Sequence, residues 1–105
     1  MNKNFRTLLI AKDFYHACNS LKLSYSMKDQ LIRASSSVAL NLAEGSARTS
    51  NAEKRRFFNI AYASLKESEC ILELVAPNNT ALLELANRLG GMLYNLVRFY
   101  TEKGS

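Results

Sequence analysis

Apolar residues in this chain recur at intervals of three and four almost throughout, and strict alternation in steps of two never persists. That spacing places side chains along one face of an α-helix, in which each turn takes about 3.6 residues. A single proline, Pro77, and four glycines interrupt the pattern. The chain is therefore built for long helices and not for a sheet. Its 105 residues make one domain, residues 1–105. A domain of this size buries roughly two-thirds of its unfolded surface and needs no disulfide staple.

Turn and cap signals divide the pattern into four helices. The first runs from about Asn4 to Ser20, with a stripe of Phe5, Leu8, Lys12 (through its aliphatic stem), Tyr15 and Cys18, flanked by Leu9, Ala11 and Phe14. The second begins at Ser26, where Ser26 and Asp29 have the spacing of a capping box. It buries Met27, Leu31, Ala34, Val38 and Leu42 and is expected to stop near Gly45, a suitable left-handed cap. Ser50 and Glu53 open the third helix with the same capping spacing. Its core positions are Phe57, Ile60, Ala61, Leu65, Leu72 and Val75, with Ile71 and Leu74 beside them, and it ends before Pro77.

Pro77-Asn78-Asn79-Thr80 is the strongest turn signal. Asn79 or Thr80 caps a fourth helix carrying Leu82, Leu85, Leu89, Leu93, Leu96 and Tyr100, with Ala86, Met92 and Phe99 adjacent. Gly90 and Gly91 inside it each cost about 1 kcal/mol relative to alanine. Tight helix contact would offset that cost, as would a kink at an assembly interface. Four helices on short connections give an all-α, antiparallel, up-down-up-down four-helix bundle.

The second helix carries another stripe, of Gln30, Arg33, Ser37, Asn41 and Glu44, spaced by three and four and bordering the apolar one. Asn41 lies between Val38 and Leu42, so its amide needs a hydrogen-bond partner. A hairpin turning near Arg48-Thr49-Ser50 sets Arg33 level with Glu67, Ser37 with Ser64, and Glu44 with Arg55 or Arg56. The expectation is a polar network between helices two and three, anchored by an Arg33–Glu67 pair. It either fixes the register of the helices or contacts a ligand.

The formal charge is +5, from 14 basic and 9 acidic residues. Residues 1–56 hold 10 Lys and Arg against 4 Asp and Glu, and the remainder 4 against 5. A basic surplus confined to one half of the chain suits a polyanion partner, RNA or DNA, and also suits a merely solvated surface. Cys18 and Cys70 lie far apart among apolar neighbours and are read as reduced core or near-core thiols. The start lacks the apolar run of a signal peptide, and no segment reaches the length of a membrane span, so a soluble cytoplasmic protein is expected.

Catalytic signatures are missing. His16 is the only histidine, too few for a zinc centre or a serine–histidine–acid set. Phosphate-loop and dinucleotide motifs are absent, as are the Glu-x-x-His pairs of di-iron bundles. Glu67, Glu69 and Glu73 beside Lys66 read as a solvated face. No enzyme activity, metal or cofactor is expected.

Residues 30–68, QLIRASSSVALNLAEGSARTSNAEKRRFFNIAYASLKES, carry a distinctive pattern. Its positions are Gln30, Arg33, Ala34, Ser37, Asn41, Glu44, Gly45, Arg48, Glu53, Phe57, Ala61, Ser64 and Glu67. The segment resembles the bacterial 23S ribosomal RNA intervening-sequence proteins, also called four helix bundle proteins. It is similar as well to the accessory variability determinants of diversity-generating retroelements. Where that family often has a phenylalanine-proline pair between helices one and two, this chain has Lys22-Leu23-Ser24-Tyr25. The resemblance implies a four-helix bundle assembling as a homopentameric ring, a nucleic-acid-related role and no enzyme activity.

The candidate nucleic-acid contacts are Arg48, Lys54, Arg55 and Arg56, which gather at one hairpin end, with Lys3, Arg6, Lys12, Lys22 and Lys28 as a wider basic field. Basic and aromatic residues do not interleave in the manner of base-stacking proteins. Binding is therefore expected to be electrostatic and weakly sequence-specific. The alternative is a protein-interaction module, for example an accessory that holds a reverse transcriptase.

Overall fold

The computed structural model describes residues 3–104, which form four helices: α1 (Lys3–Asn19), α2 (Tyr25–Ala47), α3 (Asn51–Val75) and α4 (Thr80–Glu102). Each helix packs on its neighbours in sequence, and α1 closes on α4, so the cross-section is a square without diagonal contacts. The connections are short and successive helices run antiparallel. The fold is the all-α four-helix bundle, a rod of 42 × 22 × 21 Å. The packing of α2 on α3 is the most extensive and that of α1 on α4 the least.

The caps explain where two helices begin. Ser50 Oγ accepts the Glu53 backbone N–H at 3.1 Å, and Asn79 Oδ1 accepts that of Leu82 at 3.2 Å. At the Pro77 turn, the Ala76 N–H closes α3 onto the Leu72 carbonyl at 2.8 Å. Helix α2 begins and ends within two residues of the expected bounds, but its capping departs from expectation at both ends. It starts at Tyr25 behind Ser24, whose side chain makes no cap bond, and Asp29 pairs with Arg33 at 3.0 Å instead of capping. The Lys28 ammonium reaches back to the Leu21 carbonyl and ties down the connection that a Ser26 cap would have ordered.

Gly45 is not a left-handed cap of α2. Helical geometry continues to Ala47, and the only positive-φ residue described is Gly104. The need for glycine is steric. A Cβ at Gly45 would sit 2.8 Å from Phe58 Cε1 and 3.1 Å from Phe57 Cβ. The fully buried Phe58 ring thus occupies the space a side chain would take. Gly90 is buried beside Leu65, where an added Cβ would make an ordinary contact of 3.4 Å; Gly91 is exposed, with nothing within 4 Å. An alanine would therefore fit at either position, so tight helix contact explains neither glycine.

The core is one cluster built from all four helices, with Phe14, Leu31, Leu42, Phe58, Leu65, Leu72, Leu89 and Leu93 fully enclosed. Its faces differ from the expected stripes on two helices. In α1 the buried line is Thr7, Ala11, Phe14 and Cys18, while Phe5 and Leu9 are exposed. That is a rotation of about one residue, roughly 100°. Apolar side chains surround most of α1, so periodicity alone does not select its inner face. In α3 Phe58 replaces Phe57 as the core ring, Ile60 is on the surface, and Ser68 is buried with its hydroxyl donating to the Ser64 carbonyl at 2.9 Å. Cys18 lies in the core, where burial pushes its thiol up to about 12 and the Ser35 hydroxyl pulls the other way. Cys70 is exposed, contrary to the near-core placement, because it falls on the outer face of α3.

The two glycines predict opposite responses. Gly45→Ala should lower the melting temperature, its clash with Phe58 costing about 1–3 kcal/mol against a helix-propensity gain of about 1. Gly91→Ala should raise it by several degrees, since about 1 kcal/mol shifts a domain of this size by roughly 4–8 °C. Thermal unfolding by circular dichroism measures both.

Candidate nucleic-acid interface

The antiparallel arrangement brings the C-termini of α2 and α4 to the same end of the rod as the N-termini of α1 and α3. Dividing each helix at its middle sorts the described charged side chains sharply. The half at this end holds Arg6, Arg48, Lys54, Arg55, Arg56, Arg98 and Lys103 against Glu44, Glu53 and Glu102. The opposite half holds Lys12, Lys22, Lys28, Arg33, Lys66 and Arg88 against Asp13, Asp29, Glu67, Glu69, Glu73 and Glu84, an even balance. The side chain of Lys3, part of the expected basic field, lies outside the described residues. The surplus that the sequence assigned to the first half of the chain is therefore, in space, a property of one end. Arg98 and Lys103, from the last helix, join it.

Much of this charge also works within the fold. Helix C-termini leave carbonyls unsatisfied and carry partial negative charge. The Lys54 ammonium donates to the last carbonyls of α2, at 3.3 Å to Gly45 and 3.2 Å to Ser46. Arg55 does the same for α4, donating to the Tyr100 carbonyl at 3.4 Å. Arg48, the C-cap of α2, pairs with Glu44 at 2.5 Å and Glu53 at 3.7 Å, and its Nε is buried without a hydrogen-bond partner. Arg56 is exposed and has no hydrogen bond or ion pair among the described residues. Of the four expected contacts, it alone has all its donors free.

Aromatic rings hold these cations in place, a feature that the linear pattern of basic and aromatic residues did not suggest. The Arg48 and Arg56 guanidinium carbons lie 5.1 and 5.0 Å from the centre of the Phe57 ring. The Lys54 ammonium is 6.0 Å from the Tyr100 ring and that of Lys103 is 5.0 Å from Phe99. The sequence shows no basic-aromatic interleaving of the kind that stacks bases, yet folding places rings beside several of these cations. They are separate along much of the chain but meet across helices α2, α3 and α4. The adjacent run Arg55-Arg56-Phe57-Phe58 was the one visible signal.

Among the described residues, the polar stripe of α2 is joined to α3 at one point. Ser37 and Ser64 hydroxyls lie 2.8 Å apart, and the Asn41 amide donates to the Ser37 carbonyl and hydroxyl at 2.8 and 3.0 Å. No ion pair links Arg33 to Glu67: Arg33 projects into solvent with 79% of its side chain exposed and takes Asp29 from its own helix. Gln30 and Glu67 are exposed as well, and Glu44 turns to Arg48 instead of Arg55 or Arg56. An (i, i+4) partner on the same helix is nearer for both Arg33 and Glu44 than the level residue across the groove. No group of three or more His, Cys, Asp or Glu side chains converges among the described residues, and no described helix is long and apolar enough to cross a membrane.

The division of labour at the basic end can be read from stability. Lys54→Gln should cost about 0.5–1 kcal/mol through loss of the α2 carbonyl contacts. Arg56→Gln should change stability by less than about 0.5 kcal/mol, as a surface substitution. Urea unfolding of the two variants checks the contrast.

No curated protein and no solved structure gives a significant match to the chain. The family model for the 23S rRNA-intervening sequence protein matches residues 6–98, from the first turn of α1 to within the last turns of α4. The chain belongs to the 23S rRNA-intervening sequence protein family.

Proposed function

We propose that this chain is a non-enzymatic, self-associating, cytoplasmic bundle protein whose α2–α3 hairpin end binds RNA or DNA through its phosphates. The observation that carries the reading is the gathering of the described positive surplus at one end of the rod. Seven cations against three carboxylates there make a field suited to a polyanion, while the other end is balanced. The family's name refers to an intervening sequence of 23S rRNA, which makes structured RNA the first ligand to test. Arg48, Lys54, Arg55 and Arg56 form the contact surface. Lys54 and Arg55 serve it while capping helices, because a carbonyl takes only part of a cation's hydrogen-bonding capacity.

Large apolar side chains on the surface support self-association. Leu40 is 67% exposed and Leu74 72%. Leu40 borders a shallow groove of about 190 Å³ between α1 and α2, lined also by Lys12, Tyr15, His16, Ser36 and Ala39. The assembly expected from the resemblance is a homopentameric ring, which would multiply weak phosphate contacts by avidity.

A second reading, a module that holds a partner such as a reverse transcriptase, draws support from Arg48. Its guanidinium already accommodates two carboxylates, so the same corner suits an acidic protein surface. Recovery of a reverse transcriptase from the native host after nuclease treatment favours this reading; loss on nuclease treatment favours RNA.

Binding of structured RNA measured across a salt series tests the main proposal. Four phosphate contacts give a slope of about −3 to −4 in log affinity against log salt. Replacing Arg48, Lys54, Arg55 and Arg56 by glutamine together should abolish most of the affinity. A flat salt dependence, or unchanged affinity in the quadruple variant, overturns it. Light scattering that reports a monomer at micromolar concentration removes the ring.

A further inference from the structure

We infer that the basic end binds unpaired nucleotides, with a base stacked on the Arg56 guanidinium, in preference to duplex RNA. The inference rests on the proposed RNA-binding reading and adds the class of RNA and the residue that selects it.

Three observations lead there. Arg56 lies over the Phe57 ring with its guanidinium carbon 5.0 Å from the ring centre, and Arg48 is 5.1 Å from the same centre. Arg56 is exposed and has no ion pair or hydrogen bond among the described residues, so its guanidinium lies beside the ring and is otherwise open to solvent. Cation–ring contacts then recur across the same end, at Lys54 with Tyr100 and Lys103 with Phe99, and Phe99 is itself 41% exposed.

A surface that only gathers phosphates has no need of a guanidinium placed over a ring; mobile lysines serve as well. A planar cation on an aromatic support suits the π-face of a base. Such faces are covered by neighbours in a duplex and free in a single strand, where stacking on aromatic rings and on Arg planes is the common mode of recognition. Charge alone works in the opposite direction. A duplex has the higher charge density, and each phosphate neutralised contributes more to its salt dependence than on a single strand. Strand preference therefore separates stacking from plain electrostatics.

The experiment compares fluorescence anisotropy titrations of an unstructured pyrimidine RNA of about ten nucleotides, within the usual size of a single-strand site, and of a duplex of equal length. The proteins are the wild type, Arg56→Lys and Phe57→Leu. Arg56→Lys keeps the charge at an exposed position and so keeps the fold. The wild type should bind the single strand more tightly. Arg56→Lys should weaken that binding on the order of tenfold and duplex binding by a clearly smaller factor, since the charge that meets phosphate is kept, and Phe57→Leu should act in the same direction. Equal or tighter binding of duplex by the wild type, or an Arg56→Lys protein indistinguishable from it on the single strand, overturns the inference while leaving phosphate binding intact. Failure of the wild type to bind either RNA overturns both readings.

Discussion

Gly45 allows α2 to approach α3 closely enough for the Phe58 ring to lie where a side chain would otherwise be, 2.8 Å from the missing Cβ. That contact sets the height and spacing of the hairpin. With α2 and α3 held at this distance, the Ser37 and Ser64 hydroxyls come within 2.8 Å further along the groove. The same approach brings Lys54, at the start of α3, onto the last carbonyls of α2, and Arg48, at the end of α2, over Phe57. One small residue thus links the core, the seam and the charged end. A larger residue there would disturb all three together, because the interior is close-packed and transmits displacement.

The charged end reconciles two demands. Two helix C-termini meet there and need donors for their free carbonyls, which Lys54 and Arg55 supply. The cations outnumber what capping and the three local carboxylates use; of the remainder, Arg56 lies over Phe57 and Lys103 over Phe99, while Tyr100 adds a ring beside the capping Lys54. Stability explains the position of Lys54 and Arg55 but not that of Arg56, whose only described contact is a ring. The residue least needed by the fold is the one most available to a partner.

Helix number, order and connections were legible in the sequence because they depend on local chemistry: Ser50 and Asn79 as caps, Pro77 as a stop and apolar spacing throughout. The inner face of α1 was not, because apolar side chains surround that helix and only its packing against α2 and α4 selects Thr7, Ala11, Phe14 and Cys18. Gly45 signalled a special position, yet its backbone freedom was the wrong reason; what mattered was a ring from another helix. The ion pairs across the groove failed for a local reason. Level pairing ignores the competing partner one turn away, Asp29 for Arg33 and Arg48 for Glu44. At the candidate site the basic residues were readable, and their aromatic supports were not, since Arg48 with Phe57 and Lys54 with Tyr100 meet only after folding.

The central claim is that the end of the rod bearing the α2–α3 hairpin is the nucleic-acid-binding end. Amide chemical-shift mapping during titration with unstructured RNA tests it most directly, because every helix reports from both ends at once. The account predicts that the largest shifts fall on residues 44–57 and 98–103, with the 20–28 and 76–82 connections unmoved. Shifts concentrated at those two connections, or spread evenly along all four helices, would contradict it.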